Sequence, residues 1–277
     1  IALDVGRGCP FACTFCSTKT FWKRKFRLRN IADILNEVKY VVDHYGVKVF
    51  DFKHDLFTVN KNRILQFCNG LQNMGIKIEW GCDSRIGVID IEMIDYMVDS
   101  GLTNIFFGIE SGSNEMQRII NKRLNLDEAD RIVKYCLNKG LKVTTSFIYG
   151  FPEETDDTVS DTMKLAIRFQ NYGCNVLTNM CHITNGTELY TKYKDVLYFS
   201  ENTSFNQCII GLEQLNPLIL NNLHMFANFC DYPSPLRQEL SYFDAFCYTL
   251  NYAYKNMPKE HLALLKADYA SISMYRI

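Results

Sequence analysis

The sequence predicts an α/β fold: a partial (βα)6 barrel on a parallel sheet, followed by a mostly helical C-terminal extension. Three observations carry that prediction. Helix-closing glycines recur with a strand-like run after each, apolar residues recur at helical spacing between them, and the pattern stops near residue 190. The 277 residues are 47% hydrophobic and 13% aromatic, enough apolar surface for a large core, and 22% are charged, which excludes disordered and collagen-like classes.

The first strand is read at Ala2 to Val5. Gly46, Gly75, Gly101, Gly140 and Gly173 then each close a helix-like segment, and the runs that follow read VKVFDF, IKIEW, LTNIFFGI, LKVTTSFI and CNVLTNM. Successive glycines lie 29, 26, 39 and 33 residues apart, the length of a strand, a helix and two turns, so the units are βαβ and the strands parallel. Behind the capping residue Asn30, the residues Ile31, Ile34, Leu35, Val38, Val42 and Tyr45 form an apolar helical stripe. Similar stripes run through Met93, Ile94, Met97 and Val98, and through Ile132, Val133, Cys136 and Leu137. Past residue 190 only Gly211 remains among glycines, while Pro217, Pro233, Pro235 and Pro258 break an aromatic-rich stretch. The barrel is therefore assigned to 1–190 and a helical cap to 191–277. In such a sheet reactive groups gather at the carboxyl ends of the strands.

With 30 basic and 31 acidic side chains the net charge is -1, which leaves no overall nucleic-acid footprint. No stretch reaches the roughly 18 consecutive apolar residues of a membrane-spanning helix. An odd number of cysteines, 11, in a chain too large to need disulfide staples favours a reducing compartment, the cytoplasm, and thiols used as ligands. The chain opens on Ile1 inside an apolar run, so it is expected to be a piece of a longer protein.

Directly after the first strand comes GRGCPFACTFC, which puts Cys9, Cys13 and Cys16 within eight residues on a loop at the sheet's carboxyl edge. Soft thiolates at this spacing select zinc or an iron-sulfur cluster. A structural zinc site needs a fourth ligand, and the other eight cysteines form no pair at metal-binding spacing, so zinc, redox thiols and plain buried thiols rank behind the cluster. Three ligands on a 4Fe-4S cube leave one iron free to bind a small molecule.

The CxxxCxxC triplet, with aromatic Phe15 before its last cysteine, resembles the cluster motif of the radical S-adenosylmethionine (radical SAM) superfamily. FKHDLFT at 52–58, SRIGVID at 84–90, FGIESGS at 107–113, YGFPEET at 149–155 and NGTELY at 185–190 resemble, in order, its cobalamin-binding subgroup. The resemblance implies that Cys9, Cys13 and Cys16 hold a 4Fe-4S cluster. Its open iron would chelate S-adenosylmethionine, and one electron would split the sulfonium into methionine and a 5'-deoxyadenosyl radical that abstracts hydrogen from substrate. It implies cobalamin-dependent methyl transfer as the outcome, with cobalamin on a domain upstream of Ile1; no DxHxxG cobalamin motif occurs in this chain itself. Cyclisation, epimerisation or oxidation by the same barrel is the alternative, and a non-catalytic metal-binding interaction module the alternative from another class. The implied partners are a small-molecule or peptide substrate and an electron donor such as flavodoxin or ferredoxin.

The resemblance also distributes roles. Asp55 would receive the methionyl ammonium, where its bland role is a turn or helix cap. His54 stands where relatives often carry a second acid, to face substrate or simply to pack. Glu110 and Ser111 would contact the cofactor's ribose, because a charge straight after IFFGI is costly unless paired or open to a cleft. Arg118 and Lys122 would reach the methionyl carboxylate, and Arg85 that carboxylate or the substrate, against solvated or surface-paired roles. In SFIYGFPE, which resembles the GxIxGxxE motif with Ser146 replacing its first glycine, Ile148 would pack on adenine, Gly150 would allow close backbone approach, and Glu153 would close a turn. Cys181 and His182 end the sixth run, where either could meet substrate or belong to the core. Lys19, Lys23, Arg24, Lys25, Arg27 and Arg29, interleaved with Phe21, Trp22 and Phe26, could grip an anionic substrate, a cobalamin side chain or an acidic partner, or form a solvated face.

Overall fold

The computed structural model describes residues 1–199 and 212–234. Six strands form one sheet: β1 Ala2–Asp4, β2 Val49–Lys53, β3 Glu79–Ser84, β4 Leu102–Glu110, β5 Lys142–Tyr149 and β6 Asn175–Met180. They pair in chain order and every pair is parallel, so each βα unit lays its strand beside the previous one. The fold is a partial (βα)6 barrel. Between the strands run α1 Ile31–Tyr45, α2 Lys61–Asn73, α3 Ile91–Asp99, α4 Asn114–Ile119, α5 Leu126–Asn138 and α6 Asp156–Tyr172; α7 Glu188–Tyr193 and α8 Leu212–Asn221 follow. None of the helices among the described residues is long and apolar enough to cross a membrane.

Local signals account for these boundaries. Asn30 caps α1 by accepting from the Ala32 N–H, and all five helix-closing glycines take positive φ, where a Cβ would be strained. Gly101 has a further reason: a Cβ there would fall on the Ile78 carbonyl oxygen. Ile34, Leu35 and Val38 of the α1 stripe are buried, but Tyr45 is 69% exposed, because the last turn of α1 runs past the edge of the sheet it covers. The third strand starts later than IKIEW suggests. Its partner β2 begins opposite Glu79, so Ile76 and Ile78 are buried without a ladder to join.

The main core lies between sheet and helices. Phe52 and Phe67 meet edge to face at 5.0 Å, and Phe50, Phe57 and Trp80 complete the aromatic group. A second, smaller core sits at the carboxyl end of the sheet, where Met116, Phe151, Cys181 and Leu189 pack with Leu197, Ala227, Cys230 and Tyr232. The described part of the C-terminal extension thus covers the face on which β1 delivers the cysteine loop. Residues 200–211 and 235–277 of the assigned cap lie outside the described residues.

Candidate active site

Beyond β1 the chain pairs briefly, Gly6–Arg7 against Arg27–Leu28, and enters the loop of Cys9, Cys13 and Cys16. All three are free thiols, Cys13 buried and the others half-buried. The loop is tied down from several directions. The Gly8 N–H donates to Asp55 Oδ2 at 2.6 Å, Arg24 Nε donates to the Pro10 carbonyl at 3.1 Å, and Asn121 Nδ2 donates to the Ala12 carbonyl at 2.9 Å. The Thr14 N–H donates to the Ile120 carbonyl and its own carbonyl accepts from the Leu189 N–H, both at 3.0 Å. Backbone groups that the loop cannot satisfy internally are thus satisfied by the ends of later units.

Arg85, the residue after β3, lays its guanidinium 4.0 Å over the Phe11 ring and brings Nη1 to 3.7 Å from Cys13 Sγ, while Nη2 donates to the Lys122 carbonyl. Burial pushes the Cys9 thiol up. The N–H of Phe11 opposes that, the charges of Cys13 and Cys16 add to it, and Arg85 relieves it. Three thiolates that repel one another fit a cationic centre shared among them, and their softness fits iron and sulfide. Among the described residues no group of three His, Cys, Asp or Glu side chains is already drawn together as for a bound metal ion.

The structure gathers Asp55, Arg85, Glu110 and Gly150 at this end of the sheet but gives several of their side chains protein partners. Asp55 Oδ2 holds the loop, and its Oδ1 lies 3.5 Å from Thr18 Oγ1. His54 is buried. Its Nδ1 accepts from the Leu56 N–H at 2.8 Å, which leaves Nε2–H to donate to the Arg27 carbonyl at 3.0 Å, and its ring packs on Phe26. Burial lowers its pKa, so it is a neutral brace between the end of β2 and the returning loop.

Glu110 sits at φ +68° beside a register shift in the β4–β5 ladder and pairs with Lys122 at 2.6 Å, both side chains about one-tenth exposed. That pairing answers the cost of a charge after IFFGI and commits Lys122 to Glu110. Arg118 is exposed on α4. Ser111 is buried, with its hydroxyl 2.8 Å from Thr162 Oγ1 and accepting from the Ser113 N–H, so it anchors the turn onto α6. Neither is gathered with the others.

Gly150 is clamped on both sides. Its N–H donates to Glu154 Oε2, and its carbonyl accepts from Tyr232 Oη at 2.5 Å. Glu154 also accepts from the Phe151 N–H at 3.0 Å, so it closes the turn that the sequence reading gave to Glu153. Glu153 instead turns outward to Lys192 and Tyr193, since only a side chain one residue further on can fold back under the two amides. Burial raises the Glu154 carboxyl to about 7 against the pull of those two N–H groups, and its Oε1 has no partner among the described residues. Half-buried Ile148 and Phe15 pack against the second core, Phe15 meeting Phe151 at 5.7 Å. Cys181 is buried there, its carbonyl accepting from Tyr232 Oη at 3.3 Å; His182 is half-buried.

Sequence reasoning missed Asn121, Glu154 and Tyr232. It also missed the polar stripe of the sheet. In β2 and β3 the apolar residues Phe50, Phe52, Trp80 and Cys82 pack into the main core, and the intervening Asp51, Lys53 and Asp83 lie on the opposite face. Asp51 pairs with Lys53, and burial raises the Asp83 carboxyl while Lys53 lowers it. The period-two alternation was the available signal. Among the described residues, the non-glycine residues at positive φ are Lys23, Arg24, Glu110, Asn121 and Arg123, all on the cysteine segment or the turns around it.

A family model, the Radical SAM superfamily, matches residues 3–166. The uncharacterized methyltransferase PH0819 of Pyrococcus horikoshii is 32% identical over 160 residues, 58% of this chain and 35% of that protein. The anaerobic magnesium-protoporphyrin IX monomethyl ester cyclase of Cereibacter sphaeroides is 28% identical over 171 residues, 60% of this chain and 28% of that one. The chain thus spans about a third of the length of these curated relatives. Among solved structures, the methyltransferase TsrM of Kitasatospora setae, with cobalamin and a [4Fe-4S] cluster bound, superposes with a TM-score of 0.60 at 14% identity, over 70% of this chain and 39% of that one.

Proposed function

Because this chain belongs to the radical SAM superfamily, we propose that it cleaves S-adenosylmethionine reductively and directs the product to cobalamin-dependent methyl transfer, on a small-molecule or peptide substrate. The observation that carries the reading is the loop of three free thiols at the carboxyl end of β1, immobilised by the ends of later strands and helices. The methyl-transfer part rests on the names of the relatives and on TsrM, which holds cobalamin.

Cys9, Cys13 and Cys16 would hold a 4Fe-4S cluster, which supplies, when bound, the electron that breaks the sulfonium. The chain's own residues bind and orient. Arg85 places fixed positive charge beside Cys13, which would favour a carboxylate there. Asp55 fixes the loop and keeps Oδ1 for an ammonium donor. Glu110, held by Lys122, keeps its second oxygen for hydroxyls. Half-buried Ile148, just before the clamped turn at Gly150, would form an apolar seat for a flat base. The second core, with Phe15, Phe151 and Tyr232, walls the site from water. The electron would come from a carrier such as flavodoxin or ferredoxin, and the compartment is the reducing cytoplasm.

Anaerobic reconstitution with iron and sulfide tests this reading. The expected result is about four irons per chain, and 5'-deoxyadenosine on adding reductant and S-adenosylmethionine. Adding cobalamin and label in the S-methyl group then separates methyl transfer from cyclisation, since only the former moves the label. A chain that binds zinc alone and releases no 5'-deoxyadenosine refutes the proposal.

A further inference from the structure

The segment between Cys16 and the strand pair at Arg27–Leu28 lies directly on the cysteine loop, which it braces through Arg24 and Thr18, and its outward side chains take no part in the site described above. A short helix, Thr18–Phe21, leads into a turn at Lys23 and Arg24, both in the left-handed region with φ of 52° and 56°. The returning strand presses on Gly8, where any Cβ would fall on the Lys25 carbonyl oxygen and meet Trp22 Cβ at 3.4 Å. The segment therefore packs directly on Gly8, the residue before Cys9.

Its outward side chains are unusual in two ways. Phe21 is 76% exposed and stands edge-on to Trp22 at 5.1 Å, a ring pair turned to solvent rather than to a core. Of the cations, Lys19 pairs with Glu188, Arg29 with Glu37, and Arg24 donates to Pro10. Lys23, Lys25 and Arg27 are exposed and meet no acidic side chain among the described residues. In a chain of net charge -1, three exposed cations within five residues, none of them paired with a carboxylate among the described residues and all beside an exposed ring, are a local concentration of positive charge.

We propose that this surface docks the electron donor: a small acidic one-electron carrier protein, seated on Phe21 and Trp22 and held by Lys23, Lys25 and Arg27. The inference rests on the functional reading above, because a centre on Cys9, Cys13 and Cys16 needs one external electron per cleavage. On that reading substrate and cofactor would occupy the strand ends, which leaves the donor the side of the loop that this segment forms. One electron would leave the carrier's anionic flavin hydroquinone, which becomes the neutral semiquinone with no proton released, and would pass to the cluster that Cys9, Cys13 and Cys16 would hold. Charge complementarity at a rim of exposed cations sets the encounter rate and its salt dependence, and the aromatic pair supplies the contact.

The test is the affinity of oxidised flavodoxin for the full, cluster-loaded chain, by calorimetry. The Kd is expected to rise at least about tenfold between low and physiological salt. The triple variant K23E/K25E/R27E is expected to weaken binding at low salt by a similar factor, and F21A severalfold. K48E/K77E, exposed cations at the opposite end of the sheet, is expected to change nothing. In the triple variant, flavodoxin-driven bleaching of the cluster should slow by the same factor while dithionite-driven bleaching keeps its rate. Salt-independent binding, equal loss in the K48E/K77E control, undiminished binding by the triple variant, or equal slowing with dithionite would each overturn the proposal. A chain that binds and accepts electrons as described but releases no 5'-deoxyadenosine sinks the functional reading and leaves the docking surface standing.

Discussion

Glu154→Gln isolates one buried charge. Burial lifts the Glu154 carboxyl from an ordinary 4.5 to about 7, despite two N–H donors on Oε2, and Oε1 is buried with no partner among the described residues. Between those two pH values the folded chain keeps a proton that the unfolded chain has released. Stability from this group is therefore full in acid and is lost as pH rises through the window, the reverse of a carboxylate held down by a cation. At about 1.4 kcal/mol per tenfold, the whole effect is about 3 kcal/mol, of which roughly 2.5 falls between pH 5 and pH 8. Glutamine keeps a carbonyl for the Gly150 and Phe151 amides and cannot ionise. Urea unfolding at pH 5, 6, 7 and 8 should show the variant gaining that amount on the parent as pH rises, since every other titrating group is common to both and cancels. Parallel pH profiles would mean that Glu154 is ionised throughout, and the argument from burial would fail.

Lys122→Met leaves Glu110 buried and unpaired, and should cost about 3–5 kcal/mol, most of it recovered in the double variant E110Q/K122M; urea unfolding of the cycle reads the coupling. Gly8→Ala puts a Cβ on the Lys25 carbonyl at φ +94°, so iron content after reconstitution should fall while helix content by circular dichroism stays. Tyr232→Phe strips the hydroxyl from the buried Gly150 carbonyl at a cost of about 1 kcal/mol and should weaken S-adenosylmethionine binding severalfold by equilibrium dialysis.

The framework was legible because its signals are local. Each helix-closing glycine reports its own φ, and each apolar stripe its own face, so six strands and their parallel order follow from residues within one unit. The cysteine triplet is legible for the same reason, as one loop has to wrap one centre. What failed was also local in origin. Ile76 and Ile78 look like strand because they are apolar, but where a strand begins depends on where its neighbour offers a ladder. Glu153 and Glu154 are adjacent acids with equal claim to the turn, and only the direction of the folded backbone separates them.

The partners of the site residues are hidden for a different reason. Gly8 meets Asp55 across 47 residues, Cys13 meets Arg85 across 72, and Ala12 meets Asn121 across 109, and each of these distances in sequence is set by helix lengths that carry no information about the contact. Glu110 and Lys122 show what that costs. Read singly, a strand-end acid and a following cation each invite a cofactor contact; placed together and nearly buried, they neutralise each other first, and only the oxygen left over on Glu110 can serve a ligand. The same reasoning separates Arg85 from Arg118, two cations with similar claims in sequence. Arg85 follows a strand end and is drawn over Phe11 to the thiols, whereas Arg118 points outward from α4. A residue's distance from a strand's carboxyl end, more than its type, decides whether it can reach the centre that β1 presents.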